Sequence, residues 1–299
     1  MKNISSKVEA LRAIQPNMRS STVEKYIKAY TDEIVVIKYG GGAMTKTALK
    51  KDLAMDLSLM KRVGIRPVLV HGGGPEITEM MKQLKMDVKF IDGYRKTDSK
   101  AIEIVKMVLL GKINSELVGL VNSIDSVEAI GLSGLDSHLI QSEPKKEPPG
   151  LGFVGDVKKI NTRLIYSLIE MDYIPVIASV GLGKDGKMFN INADSVAAAM
   201  AVALEAHHIM FLTDVDGILR DLGDHKSLIS EMTAEHIERL VEKGEVSGGM
   251  IPKIAACLAA IKGGVGWAHI LNGTHPHVML QEIFTKRGAG TMIKRDAHE

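Results

Sequence analysis

A chain of 299 residues with 45% hydrophobic and 25% charged side chains has the balance of a soluble globular protein, long enough for one large α/β domain or two closely packed lobes. Its formal charge of +2, with acids and bases interspersed, leaves no basic stripe of the kind nucleic-acid binding needs, and no apolar run reaches membrane-spanning length. The N-terminal MKNISSKVEALRAIQPNMR lacks the apolar stretch of a secretory signal, and a single cysteine, Cys257, rules out an internal disulfide, so a cytoplasmic protein is expected.

In chain order, the first 30 residues read as a separate amphipathic helix in which Val23, Ile27 and Tyr30 share a face and Tyr26 stacks beside Tyr30. Runs rich in Val and Ile predict strands at Ile34–Tyr39, Arg66–His71, 127–131, 174–180, 209–215 and 268–272, most of them followed by glycine or a turn and then a helix-period segment. Ile102, Val105, Leu109, Ile113, Leu117 and Leu120 recur at helical spacing and predict one long helix over 100–123. Two segments, 88–97 and 139–160, break the alternation as hairpins, the second with the polar tip SEPKKEPPG, and are suited to covering a substrate. Cys257 falls in the helical pattern IPKIAACLAAIKGG, as a small buried hydrophobe. Continuous apolar strands interleaved with helices predict an α/β fold, a mostly parallel central sheet covered on both faces.

In open α/β sheets ligands sit at the carboxyl ends of the strands. Two such ends run into glycine triplets here: Lys38-Tyr39-Gly40-Gly41-Gly42, and His71-Gly72-Gly73-Gly74-Pro75 at the start of a helix. Glycine runs bring backbone N–H groups close to an anion, and a helix N-terminus adds a favourable dipole. Neither is a Walker A loop, because GGGAMTKT places Thr45 where the second glycine belongs. Each triplet alone reads equally well as a tight strand-to-helix turn. Lys38 weighs against that reading, since an ammonium at the end of a buried strand is costly unless an anion meets it. A second lysine, Lys253, follows Gly248-Gly249-Met250-Ile251-Pro252 at the start of an apolar helix.

The motifs K-Y-G-G, H-G-G-G-P, G-Y-R-K-T-D, F-N-I-N-A-D, L-T-D-V-D-G-I-L and S-G-G-M-I-P-K occur in this order over roughly residues 30 to 293, and the chain thereby resembles the N-acetylglutamate kinases of the amino-acid kinase superfamily. The resemblance implies a three-layer αβα sandwich. It divides the chain into an oligomerisation helix (1–30), an N-terminal lobe for the acyl amino acid and dimerisation (31–182) and a C-terminal lobe for ATP (183–299). It implies that Lys38 and Lys253 reach the transferring phosphoryl group from two sides and that Asp194 holds both ammonium groups. Gly73 and Gly74 would bind N-acetyl-L-glutamate through backbone N–H groups, with Arg95 and Asn190 on its carboxylate and amide ends. Gly40 and Gly41 would contact phosphate oxygens, and Thr213, Asp214, Asp216 and Gly217 would line the nucleotide pocket. ATP would bring Mg2+ on its own phosphates, with no metal cage built from the protein. Such a site is chemically sensible, because phosphoryl transfer asks mainly for alignment and charge neutralisation and a carboxylate needs no general base.

Gly42, Lys96, Leu135 and Ser137 depart from the family pattern, and none of them removes a residue given a catalytic role. Arginine-inhibited members carry an N-terminal helix that interlaces dimers into a hexameric ring. The resemblance therefore implies a homo-oligomer, a trimer of dimers, with L-arginine as effector held near Tyr26, His277, Glu282, Gly288 and Gly290. Related kinases acting on aspartate, glutamate, carbamate or UMP are rivals, as is a non-catalytic arginine sensor. The chain ends a few residues after Thr291, which leaves no room for the extra domains that aspartate and glutamate kinases usually append.

Overall fold

The computed structural model describes residues 20–44, 46–221, 224, 227–246, 249–285 and 288–295. Among these residues the strands are β1 (Ile34–Tyr39), β2 (Arg66–His71), β3 (Phe90–Ile91), β4 (Tyr94–Arg95), β5 (Glu128–Ser133), β6 (Ile140–Pro144), β7 (Val154–Ile160), β8 (Tyr173–Ala178), β9 (Val180–Leu182), β10 (Met188–Ile191), β11 (His208–Thr213), β12 (Glu231–Thr233), β13 (Trp267–Asn272) and β14 (Thr291–Lys294).

Eight strands form the central sheet, in the order β12-β14-β13-β11-β1-β2-β8-β5. Its pairings are parallel except for β13 with β14. Period-2 alternation explains why the strands read as unbroken apolar runs: Val35, Ile37 and Tyr39 of β1 enter one core and Val36 the other, each under its own layer of helices. The fold is thus the expected α/β sandwich. The two hairpins also form. The first is β3–β4, and the second, β6–β7, closes with β9 and β10 into a small barrel beside the sheet. No helix among the described residues is long and apolar enough to cross a membrane.

Three expected element boundaries need correction. The strand predicted at 174–180 is two, because β8 ends at Ala178 and β9 turns into the barrel. The strand predicted at 209–215 ends at Thr213, freeing Asp214 and Val215 for the loop that follows. The helix predicted over 100–123 starts where Asp98 caps it, accepting from the N–H groups of Lys100 (3.0 Å) and Ala101 (2.8 Å), and ends at Asn122, but it widens into π-helical turns over Met107–Asn114. Apolar spacing reports a buried face and cannot register one extra residue per turn.

The N-terminal helix is described as Ser20–Tyr30; residues 1–19 and the side chain of Val23 lie outside the described residues. Ile27 is buried, and the ring of Tyr30 stacks on His208 at 4.5 Å between centroids, rather than pairing with Tyr26 as expected.

Candidate active site

β1 and β2 are neighbours in parallel register, so Lys38 lies opposite Val70 and Tyr39 opposite His71, and both glycine triplets emerge at the same sheet edge. After β2 the chain passes directly into the helix Gly74–Gln83, with Pro75 in its first turn. After β1, Gly41 adopts a positive φ of 66° and begins a short 3-10 turn, Gly41–Met44. The helix Ala193–Ala203 starts beside them, its first turn set by Asn192, whose side chain accepts from the N–H groups of Asp194 (2.8 Å) and Ser195 (3.3 Å).

These elements enclose a cavity of about 250 Å³ lined by Lys38, Gly40, Gly41, Gly73, Gly74, Arg95, Asn190 and Asp194. At its base Lys38 Nζ lies 2.8 Å from Asp194 Oδ1, each side chain only 10% exposed. Arg95 is buried; its guanidinium donates to the carbonyl of Gly74 (2.8 Å) and to Thr78 Oγ1 (2.6 Å), and stacks over Phe90 at 4.8 Å. Asn190 donates to Thr97 Oγ1 at 3.4 Å.

A second cavity, of about 450 Å³, is lined by Thr213, Asp214, Asp216, Gly217, Gly249, Lys253 and Asn272 among others. A Cβ on Gly42 would stand 3.3 Å from Asp214 Cβ, so the glycine segment after β1 runs along the wall between the two cavities. Gly217, at φ 141°, is wedged under Thr291, whose hydroxyl accepts from the N–H of Ile218 at 2.8 Å. Asn272 donates to Asp216 Oδ1 at 2.7 Å. Sequence reasoning missed Asn272, although a strand-end Asn before Gly273 was a usable signal for it.

Lys253 does not reach Asp194. Its ammonium donates to the carbonyl of Gly249 (3.1 Å) in its own first turn. A groove of about 570 Å³, with Asn192 and Ser195 on one side and Pro252 and Ala255 on the other, separates the starts of the two helices. Gly248, in the motif before Lys253, lies outside the described residues.

The residues expected around an effector divide into two groups. Glu282 is buried, with Oε1 at 2.7 Å from His269 Nδ1 and Oε2 accepting from the N–H groups of Ala289 (2.6 Å) and Gly290 (3.3 Å). Burial by itself would raise its pKa, but the His269 hydrogen bond and the two N–H groups outweigh it and hold the carboxyl below its ordinary range. Gly288 leaves the space a Cβ would take, 2.7 Å from Glu282 Oε2. His269 continues to His208 (3.0 Å) and so to Tyr30, while Tyr26 is half-buried on the same core. His277 turns elsewhere, its Nδ1 lying 2.6 Å from Asp56 Oδ1.

A buried lysine–aspartate pair under two glycine turns, with a roomier cavity alongside at the carboxyl edge of a parallel sheet, defines the class: a small-molecule kinase of α/β architecture. Residues 33–272 match the family model described as the Amino acid kinase family. The protein named acetylglutamate kinase from Caldanaerobacter subterraneus subsp. tengcongensis is 47% identical over 92% of this chain and 91% of its own. Its namesake from Heliobacterium modesticaldum is 49% identical over 90% and 94%. Among solved structures, N-acetylglutamate synthase from Neisseria gonorrhoeae, complexed with coenzyme A and N-acetyl-glutamate, superposes with a TM-score of 0.82 at 25% identity, over 93% of this chain and 63% of that one. This chain belongs to the amino acid kinase family, in its acetylglutamate kinase branch.

Proposed function

We propose that the chain transfers the terminal phosphoryl group of ATP to the side-chain carboxylate of N-acetyl-L-glutamate, in the cytoplasm, as a step of arginine biosynthesis. The observation that carries this reading is the 2.8 Å pair of Lys38 and Asp194, buried where the cavity floored by both glycine turns meets the strand ends. Asp194 fixes the ammonium in advance, so that charge developing on the transferring group meets a cation that need not reorganise. In the first cavity Gly73 and Gly74 present backbone N–H groups to the acceptor, while Arg95 and Asn190 hold its carboxylate and amide ends. A carboxylate oxygen is already nucleophilic at neutral pH, and no side chain is needed to deprotonate it.

The neighbouring cavity has the volume of a small-ligand site, and on the wall of the first cavity Gly40 leaves open the space beside Lys38, where a Cβ would lie 3.0 Å from Nζ. Thr213, Asp214, Asp216 and Gly217 would hold the nucleotide there, with Gly40 and Gly41 on its phosphates. ATP supplies the activated phosphoryl group, and its Mg2+ neutralises phosphate charge. Lys253, on the wall of the second cavity, would reach the transferring phosphoryl group from the side opposite Lys38. ADP release with N-acetyl-L-glutamate, measured against glutamate, aspartate, carbamate and UMP, tests the reading. A higher kcat/KM for any of the other acceptors overturns it.

Feedback inhibition by L-arginine and assembly as a trimer of dimers belong to the same proposal. The effector site is supported by the contact between the Ser20–Tyr30 helix and the Val278–Phe284 helix that carries Glu282, while a helix that simply packs onto its own domain is the alternative to the ring. Glu282, Gly288 and Gly290 would take the effector's cationic groups, and His277 would hold the start of that helix against Asp56. Light scattering that returns the same mass with and without residues 1–30 rules out the ring.

A further inference from the structure

His71 ends β2 directly before the second glycine triplet, is fully buried, and has no place in the chemistry above. Its Nδ1 lies 3.0 Å from the carbonyl oxygen of Gly72. A carbonyl only accepts, so the proton sits on Nδ1. On the other side of the ring, Nε2 lies 3.0 Å from Asn114 Nδ2. That amide nitrogen also faces the carbonyl of Val176 at 2.9 Å, which identifies it as the donor and leaves Nε2 as the acceptor. One tautomer of a neutral imidazole satisfies both contacts.

Asn114 reaches the ring because the helix is widened at this point: it is the last residue of the π-helical segment Met107–Asn114. The sheet makes room for it at Gly131 of β5, where a Cβ would lie 2.0 Å from Asn114 Oδ1. The same segment supports the glycine turn from beneath, since a Cβ on Gly73 would meet Ile113 Cδ1 at 2.3 Å and Leu109 Cδ2 at 2.7 Å. A hydrogen bond to the Gly72 carbonyl has a geometric consequence. The Gly72–Gly73 peptide is planar and trans, so holding its C=O toward the imidazole turns the N–H of Gly73 the opposite way.

We infer that His71 and Asn114 are a positioning pair for the acceptor site: Asn114 sets the His71 tautomer, His71 clamps the Gly72 carbonyl, and the clamp aims the Gly73 N–H at the anion of the substrate. The inference rests on the reading of Gly73 as a substrate contact. Neither residue touches substrate, and both act through the Gly72–Gly73 peptide.

The test has a spectroscopic arm and a kinetic arm. With 15N-labelled histidine in the wild-type protein, the His71 resonance, assigned by its loss in His71→Phe, should show a protonated Nδ1 and an unprotonated Nε2 at pH 7. A proton on Nε2 overturns the inference without any substrate being added. In steady-state assays His71→Phe and Asn114→Leu should each raise the KM for N-acetyl-L-glutamate roughly tenfold, the worth of one well-aimed hydrogen bond, and leave the KM for ATP within about twofold. Gly131→Ala, which touches neither the cavity nor His71, should give the same selective rise by displacing Asn114. Parallel changes in both KM values, or none in either, overturn the inference. A wild-type enzyme that does not phosphorylate N-acetyl-L-glutamate refutes the proposed function instead, and the tautomer then decides on the clamp alone. Should His71→Phe fail to fold, His71→Gln supplies the assignment of the resonance, and Asn114→Leu and Gly131→Ala carry the kinetic arm.

Discussion

Replacing Lys38 by methionine removes the ammonium while keeping most of the side chain's volume. Asp194 Oδ1 is then left buried, with no other donor among the described residues. Breaking a buried pair by removing one member costs about 3–5 kcal/mol, because the remaining charge is uncompensated. At about 2–4 °C per kcal/mol for a domain of this size, the Tm should fall by roughly 6–20 °C. Turnover should fall about 10²–10³-fold, as for loss of one preorganised transition-state donor. The double variant Lys38→Met with Asp194→Leu separates the two effects. It leaves no charge behind, so its Tm should return to within about 3 °C of the wild type, the equivalent of roughly 1 kcal/mol, while turnover stays low. Scanning calorimetry and ADP release at saturating substrates read both quantities. Unchanged turnover in the single variant, or recovered turnover in the double, would remove Lys38 from the mechanism.

Arg95→Ala should raise the KM for the acceptor about 10–100-fold, the range for a hydrogen bond to a charged group. Arg95→Lys should not rescue it, because a point charge cannot span Gly74, Thr78 and a ligand as the planar fork does; full rescue by lysine would show that only charge matters there. Gly217→Ala forces a side chain into φ 141° and to 2.5 Å from Thr291 Oγ1, and backbone strain of about 1–3 kcal/mol should appear as a nucleotide KM raised roughly 5–100-fold with the acceptor KM unchanged. Equal effects on both substrates would contradict the division into two cavities. Burial pushes His71 from the ordinary 6.5 down to about 4, against its hydrogen bond to Gly72. A folded pKa below the unfolded one contributes stability that is complete above pH 6.5 and drains away as pH falls toward 4. Over that window the wild type should lose unfolding free energy more steeply than His71→Phe, by up to about 1.4 kcal/mol per pH unit. Parallel stability curves would show that the imidazole is not held neutral.

The strands, their parallel arrangement and the two glycine turns were legible in the linear chain because each is a local property. A strand buried on both faces must be apolar throughout, as Val35, Val36 and Ile37 are, and a backbone that turns sharply under a ligand must shed its side chains, as at Gly72, Gly73 and Gly74. Ordered motifs extended that reading to Lys38, Asp194 and Arg95, which the fold brings to one cavity. What distance along the chain conceals is pairing. The contact of Lys38 with Asp194 spans more than half the chain, and that of His71 with Asn114 joins a strand end to a widened helix whose extra residue per turn leaves no mark in apolar spacing. Tyr30 gave no sign that its ring would meet His208 instead of Tyr26, because that contact is made by the crossing of a helix over a strand end. The amino-acid sequence by itself determined which segments bury and where the backbone bends. Only the tertiary structure decided which polar groups meet, because a hydrogen bond or an ion pair between distant segments depends on ångström-scale register that hydrophobic patterning does not encode.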